Sequence, residues 1–433
     1  MFRRLFPKLK CYGILYTIMS APIPTPHTVN TDSPSNSIIQ ASAGARVQAG
    51  ALNLPASQAV SINSAHKHEL FIAPASSNPA FGSFFTIDIR EKNIILENIT
   101  LQFNLSTVAG TSLVGYFNPA FYFWNRIELV QGGNVIDCLQ NNFNFLEHQL
   151  SEWDEDRIAI NNMSGNYAST TQRTINSSQS TTNTVYCSLK SYIDQCKMPI
   201  LTAGHELQLR IYMDTLANNF TVTSGTLTSC SINSCNAICR VTRLDTNSAQ
   251  LRLQEMTARP HHYVMHDLHY GTFNVASGNT TATIILAPMV GNCSALYFTV
   301  RSSTVGANAW VYTQLASWAL LDAGGTNIVG GQNIPASLSA NILNRHNCKS
   351  SYNTECSFGI TDNKSNYYAW SFSGDSLSAH QHGMALSSRR FTSQEQLLLV
   401  FPSALGSQVQ VDVYGKFENI LEVTPYAVTK KSL

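Results

Sequence analysis

The stretch "NRIELVQGGNVIDCL" (residues 125–139) reads as two short apolar strands around a Gly-Gly pair. A tight β-hairpin needs positive φ at its centre, which glycine reaches without a Cβ clash. A phosphate loop is the other common use of clustered glycines, but no helix opens directly from this pair and no Lys-Ser/Thr follows it. The pattern returns in "SWALLDAGGTNIVGG" (residues 317–331). Gly132, Gly133, Gly324 and Gly325 are therefore read as the turns of two related hairpins.

Outward from the hairpins, apolar residues occupy every second position, the period of a half-buried strand. "FTIDIR" places Phe85, Ile87 and Ile89 this way, and "ITLQFNLS" places Ile99, Leu101, Phe103 and Leu105. "ELQLRI" (Leu207, Leu209, Ile211) and "QVQVDV" (Val409, Val411, Val413) repeat it. Helical periodicity is rare; short helices are expected only around 139–154 and 335–345, the second with Pro335 near its first turn.

Four segments recur in the same order at an offset of roughly 180 to 195 residues, too long for a solenoid and right for a duplicated domain. "ENITLQFNLST" (97–107) pairs with "NCSALYFTVRSS" (292–303), and the first hairpin with the second, each followed by an expected helix. "NTVYCSLKS" (183–191) pairs with "SNYYAWSFS" (365–373), and "AGHELQLRIYM" (203–213) with "SQEQLLLVFP" (393–402). Two copies of one all-β domain follow, joined near 245–256. Short strands with turn residues between them point to a sandwich or barrel, of which the jelly roll is the eight-stranded version. The chain divides into an arm at 1–62, basic and then Pro/Ser-rich, a first jelly roll at 63–245, a second at 246–425 and a tail at 426–433.

Of the 433 residues, 44% are hydrophobic and 12% are charged, with a net charge of +1; soluble domains carry about 25% charged residues. Ser, Thr, Asn and Gln take the place of charge. A neutral polar surface suits a chain packed against other chains. The 10 cysteines include no CxxC pair, so zinc-ribbon and thioredoxin spacings are absent; Cys230, Cys235 and Cys239 form the tightest group and read as reduced thiols rather than a metal site. At the N-terminus Arg3, Arg4, Lys8 and Lys10 precede a short apolar run, Cys11 to Met19. That resembles a weak secretory signal, and equally a basic arm touching nucleic acid or a partner, or a leader to a true start at Met19. No run reaches the roughly 18 apolar residues of a membrane-spanning helix.

The order of these segments resembles the double jelly-roll major capsid proteins of double-stranded DNA viruses, nearest those of Polinton-type elements, adintoviruses and virophages, with the adenovirus hexon more distant. The resemblance rests on "FWNRIELVQGGNVIDCL" (123–139), "CSLKSYIDQCKMPILTAGHELQLRIYM" (187–213) and "VDVYGKFENILEVTP" (411–425), and spans roughly residues 65–425. It implies a homotrimer of pseudo-hexagonal outline, hexon-like, that tiles an icosahedral shell around double-stranded DNA beside neighbouring capsomers, penton and minor capsid proteins. It implies a virion protein assembled inside the infected cell, in the nucleus ahead of the cytoplasm. The polar loops 161–184 and 348–366 would form towers, and the arm would lie under the shell, its basic end meeting DNA or a minor protein. The extended arm departs from the compact N-terminus of the family.

Enzymatic and metal-binding patterns also occur in the sequence. "SGDSLSAHQHG" (373–383) holds the Gly-Asp-Ser-Leu signature of an esterase family, with Ser376 as nucleophile. In those enzymes it opens an α/β sheet near the N-terminus; here it sits late in an all-β chain with only His380 and His382 after it, so a turn is the plainer reading. In "HHYVMHDLH", His262, His266 and His269 would share one face of a helix, an arrangement for a metal or pH sensing; the plainer reading is a polar connector between the jelly rolls. "HKHEL" (His66, His68, Glu69) resembles the cupin His-x-His, but the cupin Glu stands further along the chain. His205-Glu206 lacks the second His of HExxH. Asn-x-Ser/Thr sequons at Asn98, Asn104, Asn279 and Asn292, with the signal-like N-terminus, define the alternative of a secreted β-sandwich glycan-binding protein, although several sequons fall in expected strands. No catalytic, cofactor or metal residue is assigned, and the chain is read as a non-enzyme.

Overall fold

The computed structural model describes residues 67–432 except 107–108, 111–112, 116–118, 152–158, 161–162, 165–173, 176–182, 223–226, 304–311, 330–332, 336–366 and 373–387. Eight principal strands frame the first half, with shorter ones between them: β1 (Lys67–Pro74), β2 (Phe84–Ile89), β3 (Ile94–Leu105), β4 (Trp124–Gln131), β5 (Asn134–Gln140), β6 (Asn183–Leu189), β7 (Leu207–Met213) and β8 (Ile232–Arg243). They pair antiparallel as first with eighth, second with seventh, third with sixth and fourth with fifth. That is one long hairpin of strand pairs. It rolls into two facing sheets because β8 also pairs β3 and β7 also pairs β4, giving the orders β1-β8-β3-β6 and β2-β7-β4-β5.

The second half repeats this with β9 (His261–Val275), β10 (Thr281–Ile285), β11 (Val290–Ser302), β12 (Ser317–Leu321), β13 (Ile334–Pro335), β14 (Tyr367–Ser371), β15 (Gln396–Val400) and β16 (Val409–Val423). Its sheets run β9-β16-β11-β14 and β10-β15-β12-β13, so each of these eight strands has a counterpart eight places earlier. The fold is a double jelly roll. Three of the repeated segment pairs fall on counterpart strands; in the second hairpin, 317–331, the first strand is β12, while the counterpart of β5 is β13, which lies beyond the repeated segment.

Alternation explains the cores. Ile87, Leu101, Phe103 and Leu209 are 0% exposed in the first roll, as are Phe298, Val300, Leu399 and Val411 in the second. Each such side chain contributes about 1.5–3 kcal/mol relative to exposure, and the polar residues between them turn to the outer face.

Three helices matter here: α1 (Asn141–Ser151), α2 (Tyr192–Cys196) and α3 (Thr246–Ala258). The helix expected around 139–154 is α1, beginning after Leu139 and Gln140 have completed β5. For the helix expected around 335–345, Pro335 closes strand β13 and the remainder lies outside the described residues. The junction near 245–256, expected without a helix, is α3, capped by Asp245, which accepts from Ser248 N at 2.7 Å. Its only buried residues are Ser248, Ala249 and Met256, so it lacks the apolar stripe by which helices are read from sequence. Residues 426–433, expected as a tail, include a strand, β17 (Val428–Ser432), paired with β16.

The two hairpins also differ. Gly132 and Gly133 have φ of +55° and +87°, both central positions of a tight turn. Gly325 is at +82°, but Gly324 is not in the left-handed region, contrary to expectation. That loop is held by Asp322, whose Oδ1 accepts from Gly324 N at 2.9 Å and Thr326 N at 2.8 Å.

Candidate assembly interface

The seam between the rolls shows how this fold makes an interface. Helix α1, in the connection from β5 to β6, lies against the outer face of β11, β14 and β16. Along β11, Leu296, Phe298 and Val300 point into the second roll's core, while Tyr297 and Thr299 point out and are equally buried, 0% exposed. The first roll covers them. Phe143 of α1 meets Tyr297 edge-on at 5.5 Å and Tyr414 at 5.7 Å, and Phe145 meets Tyr367 at 6.4 Å.

Polar groups on α1 are buried too, and a buried polar group costs free energy unless it is bonded. Asn142 Nδ2 donates to Thr299 Oγ1 at 2.9 Å, and its Oδ1 accepts from the Tyr312 hydroxyl, which also bonds Tyr122 at 3.0 Å. Asn144 donates to Ser188 O at 2.9 Å and accepts from Lys190 N at 2.8 Å. Glu147 forms an ion pair with Lys416 across the seam, their side chains 3% and 6% exposed. Burial pushes the Lys416 ammonium below the usual lysine range, and Glu147 opposes that shift.

The second roll's last segment returns to the first roll's glycine hairpin. Thr202 Oγ1 donates to Pro425 O at 2.7 Å, the His205 Nε2–H to Thr424 O, and Asn134 Nδ2 to Val428 O at 3.0 Å. Gly204 is required by close approach: a Cβ there would lie 2.2 Å from Tyr426 O, and one on Gly132 2.5 Å from Gly204 O. The glycines thus serve the seam as well as the turn. Nearby, α2 covers the edge of β9, with Gln195 Oε1 accepting from His266 N at 2.8 Å. At its start Asp137 accepts from Tyr192 N at 3.1 Å and Cys138 N at 2.9 Å. Burial raises the Asp137 carboxyl to about 7, with Asp267 adding and the two N–H bonds opposing.

The side chains of the sequence candidates do not converge on one site. "HHYVMHDLH" lies on strand β9, not on a helix and not in a connector. His262 and His266 therefore share one face and His269 takes the other. His262 bonds Glu422 at 3.0 Å, and His269 stacks on Phe417 at 4.1 Å. His68 sits 3.3 Å from Glu97 while Glu69 pairs with Arg243 at 3.0 Å; His66 lies outside the described residues. His205 is buried and bonded to backbone, and burial lowers its pKa. Cys235 and Cys239 face the first roll's core, Cys230 is also buried, and all three are free thiols; burial raises Cys230 to about 11 and Cys239 to about 12, far from a reactive thiolate. Among the described residues no three His, Cys, Asp or Glu side chains form a metal-holding group, and no helix is long and apolar enough to cross a membrane. Ser376, His380, His382, Arg3, Arg4, Lys8 and Lys10 lie outside the described residues, as do the 348–366 loop and most of 161–184. Glu147 and Lys416 escaped the sequence reading; a lysine set between Tyr414 and Phe417 in "VDVYGKFENILEV" was the available signal.

No protein-family model matches the sequence and no curated protein matches it. Solved structures do match the fold. A quasi-atomic model of the PBCV-1 virus capsid aligns with a TM-score of 0.62 at 14% identity, covering 85% of this chain and 97% of that one. The Sputnik virophage structure aligns with a TM-score of 0.59 at 10% identity, covering 85% and 89%. The Faustovirus major capsid protein aligns with a TM-score of 0.59 at 7% identity, covering 83% and 91%. At these identities the likeness is one of fold, and the chain shares the double jelly roll of these capsid proteins along nearly all of its described length.

Proposed function

We propose that this chain is a major capsid protein, a structural component and not an enzyme, whose homotrimers of pseudo-hexagonal outline tile an icosahedral shell around double-stranded DNA. The observation that carries the reading is the pair of equivalent jelly rolls locked by a fully buried seam. A rigid body of two similar rolls, taken three times, offers six similar sides to one lattice contact. The low charge then has a cause, since side surfaces buried against neighbours are depleted of charged residues.

In this reading residues 63–245 and 246–425 are the two upright rolls, and the loops 161–184 and 348–366 form the towers. The arm at 1–62 lies beneath the shell, where Arg3, Arg4, Lys8 and Lys10 meet DNA or a minor capsid protein. Neighbouring capsomers, penton and minor proteins complete the shell, and the chain is a virion component assembled in the nucleus. Negative-stain images of the purified protein test it: pseudo-hexagonal particles of three chains are expected, and a stable monomer at assembly concentrations counts against the reading.

A further inference from the structure

A cleft opens where the chain leaves helix α3 and enters β9, apart from both cores and from the seam. Arg259 caps α3 in an extended conformation, and Pro260 cannot continue a helix, so the run from Arg259 to Tyr263 turns around the mouth. The cleft has a volume of about 480 Å³ and is lined by Arg259, Pro260, His261, His262 and Tyr263, a size within the range of small-ligand sites. Arg252, on the middle of α3, lies within electrostatic reach of His261 and Tyr263.

Its arginines stand apart from others in the chain. Arg90, Arg126, Arg240, Arg243 and Arg301 each lie 2.5–3.2 Å from a carboxylate; among the described residues Arg252 and Arg259 have no such partner. Compensation of the helix dipole accounts for a cation at the C-cap but not for Arg252. Of the carboxylates nearby, Glu422 is taken by His262 at 3.0 Å and by Lys431, which leaves Glu255. Burial holds the His261 imidazole below the usual histidine range, Arg252, Arg259 and His262 push it the same way, and Glu255 opposes them. Between residues 254 and 262 no large apolar side chain is exposed, so the rim has neither the wedge that enters a lipid surface nor the anchor of a protein interface. The cleft also lies away from the polar loop of its roll: β16 runs from Val409 beside Ser302 to Val423 beside His261, and the 348–366 loop leads into Tyr367 beside Thr299, at the opposite end.

We propose that this cleft binds a backbone phosphate of the enclosed DNA, with Arg252 and Arg259 supplying the charge and the His261 and His262 rings its wall. Guanidinium groups that neutralise phosphates release counterions, which drives binding without regard to sequence, and such contacts position a duplex rather than read it. The inference rests on the capsid reading, which puts the loop end outside and this end within. It adds a site on the folded body to the one proposed on the arm.

The test is fluorescence anisotropy of a labelled short duplex titrated with the full-length protein over a range of salt concentrations. Arg252→Gln/Arg259→Gln should bind about tenfold more weakly near 0.1 M salt, with the slope of log K against log salt reduced by about 1, and with an unchanged melting temperature. Arg259→Gln alone, at an exposed position, should move both in the same direction. Arg252→Lys/Arg259→Lys should keep the wild-type slope, because a phosphate contact asks for charge, and the control Arg126→Gln, on β4, should leave binding unchanged. A wild type that does not bind the duplex overturns the proposal. So does a loss in the lysine variant equal to that in the glutamine variant, which would make the arginines structural. Wild-type affinity in the glutamine variants, with loss on Arg3→Gln/Arg4→Gln/Lys8→Gln/Lys10→Gln, overturns the cleft and leaves the capsid reading standing, since the particle images decide that separately. Sedimentation with phosphatidylserine vesicles should not separate wild type from the glutamine variants; a loss confined to vesicles assigns the cleft to lipid phosphate and overturns the DNA contact.

Discussion

The outer faces of the two equivalent sheets share a register and differ in what lies on them. In the second roll the face carries Tyr297, Tyr414 and Lys416, dry beneath α1; in the first, Gln102, Asn236 and Ile238 occupy those places, half open. One backbone arrangement carries a covered face in one roll and a half-open face in the other. The permanent intrachain contact uses aromatic packing and a buried ion pair, while the open face uses neutral amides tied to one another. Permanent interfaces resemble a domain core, and separable ones remain polar. Duplication therefore supplied the geometry twice, and side-chain chemistry separated the roles.

The ion pair is the sharpest way to break the comparison. Glu147→Ala takes the carboxylate from Lys416 in a pocket beside Phe143 and Tyr297, and removing one partner of a buried pair costs about 3–5 kcal/mol. Denaturant unfolding should show that loss. Replacing both partners, as Glu147→Leu with Lys416→Met, should recover most of it, because no uncompensated charge is left. If the single variant loses under 1 kcal/mol, the pair is behaving as a solvated surface one and the seam is not dry.

Asp137 sharpens the comparison through pH. It lies near the seam, beside Asp267 and Lys430 of the second roll. Its folded value of about 7 stands above the unfolded carboxyl value, so between about pH 4 and 7 the native state holds more protons than the unfolded one. The contribution is complete below about pH 4 and is lost as pH rises to about 7, with an upper bound on the order of 4 kcal/mol. Asp194 and Asp214 are raised and Asp267 lowered in the same chain, so the measurement is the difference between wild-type and Asp137→Asn stability curves. That difference should fall with rising pH; a flat one removes Asp137 as the titrating group.

The hairpins give a smaller contrast. Gly204→Ala forces a methyl against Tyr426 O and should cost about 1–3 kcal/mol, the range of overpacked sites. Gly133→Ala meets no atom within 4 Å and should cost only the left-handed backbone term, about 1–2 kcal/mol. Proteolysis separates them: the first should release the β17 segment to cleavage, the second should not.

What was legible in the sequence was what repeats locally. Period-two alternation identified Leu101, Phe103, Leu209 and Val411 as core, and the duplicated segments landed on counterpart strands except at the end of the second hairpin. The seam was not legible, since burial of Asn142 and Glu147 depends on partners more than a hundred residues away, Thr299 and Lys416. On composition α1 is a surface helix; only the sheet laid over it makes it a core element. Val428 in β17 and the close approach at Gly204 are hidden for the same reason.

The junction helix α3 provides the weakest perturbation and the cleanest control. Asp245 Oδ1 accepts from Ser248 N, and its Oδ2 from Ser248 Oγ at 3.0 Å, satisfying donors that the first helical turn leaves open. Asp245→Ala should cost about 1 kcal/mol, and Asp245→Asn much less, since the amide oxygen still caps. Neither change touches α1, Lys416 or the glycine hairpin, so the Glu147→Ala loss should add to the Asp245→Ala loss within about 0.5 kcal/mol. A larger deviation in the double variant would mean that helix α3 and the seam unfold as one unit, and that the two rolls are coupled through their covalent junction as well as through the interface between them.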